Sequence, residues 1–235
     1  MNLRDIDFKN IEQSLPKVKV PSGRIGLWEI NRFTLSASEA RDENRRQRPI
    51  CGGQARYVKP GTYTRLVRNH SDEKPDGALV MSDTPAECDE NKEAVDRAAG
   101  HCLVHGLGIG VVINAMLLRD EVTKVTVIEK SQEVIDLVGP YYMDKFGDRL
   151  EIICADAHEW KSPRGMKYGV VWHDIWDSIS ADNWPSMKKL TRRYQNKCGW
   201  QGCWCKDLSY EQVEYERGYR QEPGYIPAWV LGGLG

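Results

Sequence analysis

Residues 102–129 read CLVHGLGIGVVINAMLLRDEVTKVTVIE and contain the pattern on which the rest of the chain can be placed. The apolar run 102–104 is typical of a buried strand. Residues 111–118 are apolar nearly all round, which predicts a helix covered on both sides. Residues 125–128 are rich in β-branched side chains, which favours a second buried strand, and Glu129 follows at its tip. Strand, glycine turn, helix, strand and acid form one βαβ unit, a unit that binds nucleotides or nucleosides.

The glycine spacing narrows the ligand class. Gly106, Gly108 and Gly110 form G-x-G-x-G, whereas the dinucleotide fingerprint G-x-G-x-x-G would place its third glycine where this chain has Val111. G-x-G-x-G is the spacing seen in class I S-adenosylmethionine (SAM) enzymes, whose ligand has no pyrophosphate to place at the helix N-terminus. The spacing therefore favours SAM over NAD, and the alternative that the glycines serve only a tight turn stays open.

Composition limits the classes of protein that this chain can belong to. Hydrophobic residues make up 40% of the 235 residues and charged residues 29%, which indicates a packed core rather than disorder. The 33 Lys and Arg nearly balance the 34 Asp and Glu, so no global charge draws the chain to nucleic acid or to a membrane. No run reaches the ~20 apolar residues that span a bilayer. We expect a cytoplasmic protein with a small-molecule acceptor, and a homo-oligomer is left open.

The cysteines indicate thiols rather than a structural framework. The count of seven is odd, and Cys102 and Cys154 lie in apolar, strand-like runs, so we expect reduced, buried thiols. Cys198, Cys203 and Cys205 suggest zinc at first sight. Structural zinc usually has four ligands in paired spacing, and no second pair is nearby, so no metal site is predicted.

The order of the patterns predicts the architecture. From residue 100 onward strands alternate with helices, which predicts an α/β fold with a doubly wound, Rossmann-like parallel sheet. One helix is expected to end at Gly139–Pro140, and the residues after 205 show only weak strand signals. Strand patterns at 24–35, 53–68 and 78–81 predict an N-terminal extension with a β-hairpin. We therefore divide the chain into an extension, 1–97, and a SAM-binding domain, 98–235.

In a doubly wound sheet, ligands lie beyond the carboxyl ends of the strands. The glycine turn, Glu129, Asp156 and the segment 174–177 all lie at predicted carboxyl ends. We therefore expect these residues to meet in one cleft, and Trp176 and His173 to contribute to its substrate side.

Residues from about 77 to 204 resemble spermidine synthases and their relatives, within the SAM-dependent methyltransferase fold. The family has a run Y-D-V-I-x-x-D-S-S-D after its fourth strand, and this chain has YGVVWHDIWD at 168–177. The resemblance implies that Asp174 and Asp177 are the catalytic acids. It also implies that Glu129 holds the ribose of the cofactor, and that the A-D-A run around Asp156 matches the G-D-A that lies at the adenine.

The chain departs from that family in the region that holds amines. The family has a glutamine and then a Y-H-E run after its N-terminal hairpin, where this chain has SDTP at 82–85 and NKEA at 91–94. Methyl transfer to an unassigned acceptor is therefore the favoured function. Aminopropyl transfer from decarboxylated SAM is the alternative, followed by a non-catalytic SAM-fold protein and, disfavoured by Val111, an NAD-linked oxidoreductase.

The predicted site residues fall into three groups. The predicted catalytic residues are Asp174 and Asp177, and the predicted substrate-pocket residues are His173 and Trp176. The predicted SAM-binding residues are His105, Gly106, Gly108, Gly110, Glu129, Lys130, Asp156, Ala157 and Asp174. A carboxylate at position 174 would orient the acceptor or take its proton, since the sulfonium of SAM is already a strong electrophile.

Overall fold

The structure is a computed structural model that describes residues 8–46, 56–70 and 77–221. Its strands and α-helices, in chain order, are β1 (Gly23–Ile25), β2 (Trp28–Leu35), α1 (Ala37–Arg46), β3 (Gly61–Arg68), β4 (Ala78–Ser82), α2 (Pro85–Asp96), β5 (Gly100–His105), α3 (Val111–Leu117), β6 (Val122–Glu129), α4 (Gln132–Phe146), β7 (Leu150–Cys154), β8 (Tyr168–His173), α5 (Trp184–Tyr194), β9 (Cys198–Cys203) and α6 (Lys206–Gln221).

A five-stranded parallel sheet forms the centre, with strand order β7-β6-β5-β8-β9. The chain winds outward from β5 in one direction through β6 and β7, and then in the other through β8 and β9. The order reverses between β5 and β8, where His105 is the register partner of His173. Ligands of such sheets bind at this reversal point. The predicted doubly wound, Rossmann-like fold is confirmed.

The predicted βαβ unit is also confirmed, because β5, α3 and β6 follow one another and every residue of α3 is buried. The turn before α3 depends on glycine at two of its positions. Gly106 has a φ of +95°, and a Cβ added there would lie 1.9 Å from the backbone oxygen of Asp174. Gly110 has a φ of +79°, and an added Cβ would lie 2.2 Å from the ring of Tyr142. The third glycine is therefore required at 110 because a ring of α4 occupies the space of its side chain.

Helix α4 differs from the prediction, since it continues through Gly139 and Pro140 instead of ending there. Gly139 is buried, and a Cβ added to it would lie 3.3 Å from the end of the Ile152 side chain in β7. Packing of the helix against the sheet therefore outweighs the one hydrogen bond that the proline removes.

The N-terminal part is more than the predicted hairpin. Strands β3 and β4 do pair antiparallel, as predicted, but β1 and β2 extend them to a four-stranded sheet in the order β1-β2-β3-β4. The single strand expected at 24–35 is two strands with a turn at Gly26, whose φ is +55°. The strand expected from 53 begins at Gly61, and residues 53–55 lie outside the described part.

The small sheet and the parallel sheet share one apolar core. Val20, Ile30 and Leu66 belong to the same buried cluster as Val112 of α3 and Val134 of α4. Because this cluster is continuous, the antiparallel sheet is held against the end of the parallel sheet that carries the glycine turn.

The C-terminal part forms a helix, α6, where only weak strand signals had been expected. The sequence of α6 is polar and has no apolar stripe from which a helix could be predicted. Tertiary contacts hold this helix in place. Ser209 is fully buried, and the ring of Tyr210 lies 4.8 Å from that of Trp184 in α5. No helix in the described ranges is long and apolar enough to cross a membrane.

Six cysteines lie in the described part, and all six are free. Cys102 is buried as expected, whereas Cys154 is exposed, because the end of β7 lies at the edge of the sheet. No group of three or more His, Cys, Asp or Glu side chains in the described ranges is arranged to hold a metal ion.

Replacing Gly106 tests the contact between the glycine turn and the segment after β8. Gly100→Ala is the matched control, because Gly100 also has a positive φ, +63°, but nothing lies within 4 Å of an added Cβ. The control should lose about 1–2 kcal/mol of unfolding free energy through backbone strain alone. Gly106→Ala should lose a further ~1–3 kcal/mol through overpacking. Urea unfolding measures both, and equal losses would mean that the backbone contact is not restrictive.

Candidate active site

A cavity of about 780 Å³ lies at the carboxyl ends of the central strands and is closed on one side by the small N-terminal sheet. Of the predicted site residues, those that line it are Gly106, Gly108, Glu129, Lys130, Asp156, Ala157, Asp174, Trp176 and Asp177. The structure therefore brings residues from four separate strand ends together, as expected for this fold.

Glu129 joins the glycine turn to helix α4. One of its carboxylate oxygens, Oε2, accepts a hydrogen bond of 2.8 Å from the backbone N–H of Leu107, and Oε1 accepts one of 2.8 Å from that of Ser131. The Ser131 hydroxyl in turn accepts from the backbone N–H of Val134 and caps α4. A carboxylate offers about four acceptor positions. Two backbone bonds therefore orient the group and still leave acceptor capacity toward the cavity.

Lys130 follows Glu129 at the end of β6, and Asp156 lies after the end of the neighbouring strand β7. Lys130 Nζ donates to Asp156 Oδ2 at 2.9 Å, and the backbone N–H of His158 donates to Asp156 Oδ1 at 2.7 Å. The hydrogen bond from Lys130, followed by that from the His158 backbone, lowers the pKa of the Asp156 carboxyl. Asp156 is therefore ionised at neutral pH, and Ala157 beside it is buried.

Asp174 is the most perturbed acid of the cavity. Its backbone N–H donates to the His105 carbonyl at 2.9 Å, which fixes the segment against the glycine turn. Burial, followed by the negative charges of Glu87, Glu90, Glu129 and Asp177, raises the pKa of its carboxyl to about 8. A carboxyl with a pKa near neutrality in a cleft is a candidate for acid–base chemistry.

Glu87 is a cavity residue that the sequence analysis missed. It lies in the first turn of α2 and accepts hydrogen bonds from the Ser82 backbone N–H at 2.7 Å and from the Ser82 hydroxyl at 2.9 Å. Burial raises the pKa of its carboxyl to about 7. The T-x-x-E pattern from Thr84 to Glu87 is that of a capping box and was the available signal. The carboxylate reaches back past Thr84 to Ser82, however, and also lines the cavity.

The cavity is acidic and aromatic. Among the described residues, two basic side chains line the cavity, Arg68 and Lys130, whereas six carboxylates line it. The six are Glu87, Glu129, Glu133, Asp156, Asp174 and Asp177. Three tryptophans also line it, Trp28 from β2, Trp176 after β8 and Trp204 after β9. Carboxylates beside aromatic faces favour a positively charged ligand.

Trp176 is held in the wall by a short hydrogen-bonded chain. Its indole N–H donates to the Ser186 hydroxyl at 3.2 Å, and that hydroxyl lies 3.0 Å from Nε2 of His158. Ser186 and His158 also line the cavity. These two residues were not predicted, because the connection after β7 and the start of α5 meet only in the folded chain.

Three predicted residues do not line the cavity. His105 and His173 are fully buried beneath its floor, with their rings 5.2 and 5.6 Å from that of Tyr194 in α5. Neither ring lines the cavity, because both side chains leave their strands toward the α5 side of the sheet. Gly110 lies behind the turn against Tyr142, and its contribution is to the shape of the turn.

No protein-family model matches the sequence, and no curated protein sequence matches it significantly. Among solved structures, the chain is similar to a SAM-dependent methyltransferase from Clostridium acetobutylicum, with 16% identity, a TM-score of 0.35, and coverage of 47% of this chain and 42% of that one. A putative SAM-dependent methyltransferase from Methanococcus maripaludis has 14% identity, a TM-score of 0.36, and coverage of 56% and 64%. The [4+2]-cyclase SpnF has 20% identity, a TM-score of 0.33, and coverage of 38% and 35%. The chain thus spans about a third to two thirds of the structures it resembles, and a shared fold of this extent assigns no activity.

The raised pKa of Asp174 predicts that Asp174→Asn stabilises the protein at alkaline pH. Between about pH 4 and pH 8 the unfolded chain loses the proton that the folded protein keeps, so this carboxyl makes wild-type stability fall as pH rises. The amide of the variant has no proton to release, so the variant does not lose stability in this way as the pH rises. Its unfolding free energy relative to wild type should therefore rise by about 1–2 kcal/mol from pH 5 to pH 8, after allowance for solvent screening. Asp120→Asn, at an exposed position, is the control, and a parallel pH dependence of both variants would contradict the assignment.

Proposed function

We propose that this protein is a SAM-dependent methyltransferase. The observation that carries the proposal is Glu129, a carboxylate at the tip of the second strand of a parallel sheet, bound to the glycine turn and facing a cavity at the point where strand order reverses. This is where a doubly wound fold binds a nucleoside, and the carboxylate is the group that accepts hydrogen bonds from ribose hydroxyls.

The residues present fit SAM rather than a dinucleotide. Gly106 and Gly108 line the cavity together with Leu107, so the glycine turn forms part of the wall that a bound SAM would contact. Glu129 would hold the ribose, Asp156 and Ala157 would lie at the adenine, and the acidic wall would face the positive sulfonium and ammonium groups. When bound, SAM supplies an electrophilic methyl group. An acidic cavity would oppose the pyrophosphate of NAD through like-charge repulsion.

The same charges indicate the class of acceptor. We infer that the acceptor is a small amine, since a partly enclosed cavity of about 780 Å³ suits a small molecule, and the excess of six carboxyls over two basic residues suits a cation. Burial raises the pKa values of Asp174 and Glu87, and a positive countercharge close to the two carboxyls would lower them. A bound ammonium would supply that countercharge and ionise the carboxyls. Asp174 would then take the proton that the nitrogen must lose before it attacks.

Aminopropyl transfer from decarboxylated SAM is the second candidate function. The same excess of carboxylates that favours an amine acceptor also favours a cofactor that lacks its own carboxylate. The two candidates share Glu129, Asp156 and Asp174 in the same roles and differ in the group that moves, so substrate assays are needed to separate them.

Glu129→Gln tests the cofactor site. The amide keeps one oxygen but turns an N–H₂ toward one of the two backbone donors, and it loses the charge that strengthens hydrogen bonds to the ribose. SAM affinity should fall about tenfold or more, the loss of one charge-assisted bond of ~1.5–3 kcal/mol. Because the side chain also holds the glycine turn, the melting temperature should fall slightly as well.

The control for that experiment is Glu121→Gln, an exposed acid just before the opposite end of β6. Isothermal titration with SAM, decarboxylated SAM and NAD measures the affinities of each variant. Unchanged SAM affinity in Glu129→Gln, or tight binding of NAD without SAM, would contradict the proposed cofactor site.

Asp174→Asn tests the acceptor site. Turnover with an amine should fall by ~10²–10⁴-fold, the usual contribution of a positioned base, while SAM affinity stays within about threefold. The assay follows methyl-labelled SAM with a panel of small amines and with alcohols of the same carbon skeleton, and Glu87→Gln should raise the KM for the amine. Labelling of alcohols in preference to amines would reject the amine acceptor. Product formed only from decarboxylated SAM would establish the second candidate, and SAM binding without any transfer would indicate a non-catalytic protein.

A further inference from the structure

His105 and His173 occupy the last positions of the two strands at the centre of the site. They are direct register partners on β5 and β8. The next residue after His105 is Gly106 of the glycine turn, and the next after His173 is Asp174. The pair therefore lies immediately beneath the two segments that carry the proposed cofactor and acceptor groups.

The two imidazoles are joined by a hydrogen bond. Their Nδ1 atoms are 2.8 Å apart, and both side chains have 0% exposure. One Nδ1 must donate and the other accept, so the rings are complementary tautomers. Burial lowers the pKa of both, that of His173 to about 4 and that of His105 well below its ordinary value. Both rings are therefore neutral at physiological pH.

The groups that face the pair do not favour a charge on it. Tyr194 and Arg193 face it from α5, His158 from the connection after β7, and Gln201 from β9, whose Oε1 lies 3.4 Å from His173 Nε2. Arg193 is a cation and opposes protonation of either ring. A single added proton would thus be a buried charge without a compensating anion among these groups.

The pair also carries polar atoms that a simple core would avoid. His105 Nε2 and the Tyr194 hydroxyl are buried without a hydrogen-bond partner in the described part of the structure. Unsatisfied groups of this kind destabilise a fold, whereas apolar side chains of similar volume would not. The imidazoles form a directional hydrogen bond between the two strands, which apolar side chains cannot form.

We infer that the His105–His173 hydrogen bond is a positioning element that holds the glycine turn and the Asp174 segment in one fixed arrangement. Two further contacts cross between the same segments directly above it. The Asp174 backbone N–H donates to the His105 carbonyl at 2.9 Å, and the Asp174 carbonyl occupies the space of the missing Gly106 side chain. Neither imidazole lines the cavity, so both act through these neighbours. The inferred effect on ligand binding rests on the proposed function, whereas the inferred effect on the two segments does not.

Variants of His173 in the full-length chain test the inference. His173→Leu removes the bond and fills the space, and His173→Asn retains a hydrogen-bonding amide near the Nδ1 position but cannot titrate. His101→Leu is the control, because His101 lies on the same strand β5 but at its other end, half-buried and 2.9 Å from the hydroxyl of Thr126. Amide hydrogen exchange in peptides covering 106–110 and 174–177 reports on both segments, and titration with SAM reports on the site.

We expect that loss of the hydrogen bond makes both segments exchange faster, and not only the segment that carries the substitution. In His173→Leu, exchange corrected for intrinsic rates should become roughly fivefold to tenfold faster in both peptides, including the one on the unmutated strand, and SAM should bind several-fold more weakly. His173→Asn should restore both quantities to within about twofold. In wild type, lowering the pH from 7 to 5 should loosen both peptides more than it does in His173→Asn.

Two results would overturn the inference. The first is faster exchange in His173→Leu that is confined to 174–177. The second is exchange in His173→Asn as fast as in His173→Leu. Either result would mean that the two imidazoles contribute only packing and not a positioning hydrogen bond. If the Leu variant does not fold, the Asn variant carries the test: the inference then requires near-wild-type exchange at pH 7 and a reduced response to pH 5, and it fails if either is missing. Should wild type not bind SAM, the proposed function fails while the exchange result still decides the role of the pair.

Discussion

The segments that follow β5 and β8 meet backbone to backbone, with the Asp174 carbonyl in the space where Gly106 has no side chain and the Asp174 N–H bonded to the His105 carbonyl. This contact lies at the point where the strand order reverses, and it brings the glycine turn to the acid at the end of β8. Without glycine at 106 the two segments would have to separate. The arrangement of the cavity therefore depends on a steric constraint at one position. The His105–His173 hydrogen bond lies below this position, and Glu129 binds the backbone of the glycine turn beside it.

The chain places several carboxyls in this cavity although their mutual repulsion destabilises the fold. Burial and neighbouring charges raise the pKa of Asp174 to about 8 and that of Glu87 to about 7, so these carboxyls keep protons that an exposed carboxyl would release. Under the proposed function, a cationic ligand would supply the positive charge that replaces these protons. Unfavourable electrostatic interactions of this kind are common at functional sites, and other parts of the fold offset their cost in stability. Here the buried helix α3 and the core shared by the two sheets are the source of that stability.

The small antiparallel sheet has a role in the site as well as in the core. Met81 of β4 lies over the glycine turn, since a Cβ added to Gly108 would be 2.4 Å from its sulfur, and Trp28 of β2 lines the same cavity. Helix α2 then carries Glu87 from the end of this sheet to the acidic wall. The segment before the βαβ unit thus closes one side of the cleft at the strand ends.

The sequence alone determined the features that depend on local pattern and on the geometry of parallel strands. The run 102–129 specifies the βαβ unit, and the positions of Glu129, Asp156 and Asp174 after predicted strands are enough to place all three at one edge of the sheet. Periodicity failed where tertiary contacts decide. Helix α4 runs through Pro140 because it packs on β7, and the polar helix α6 is held by Tyr210 and Ser209. Only the folded chain showed that Glu87, Trp28 and Ser186 line the cavity and that His105 and His173 lie under it. The physical reason is that side-chain direction at a strand end, and contacts between elements far apart in sequence, are set by packing in three dimensions, which no local spacing encodes.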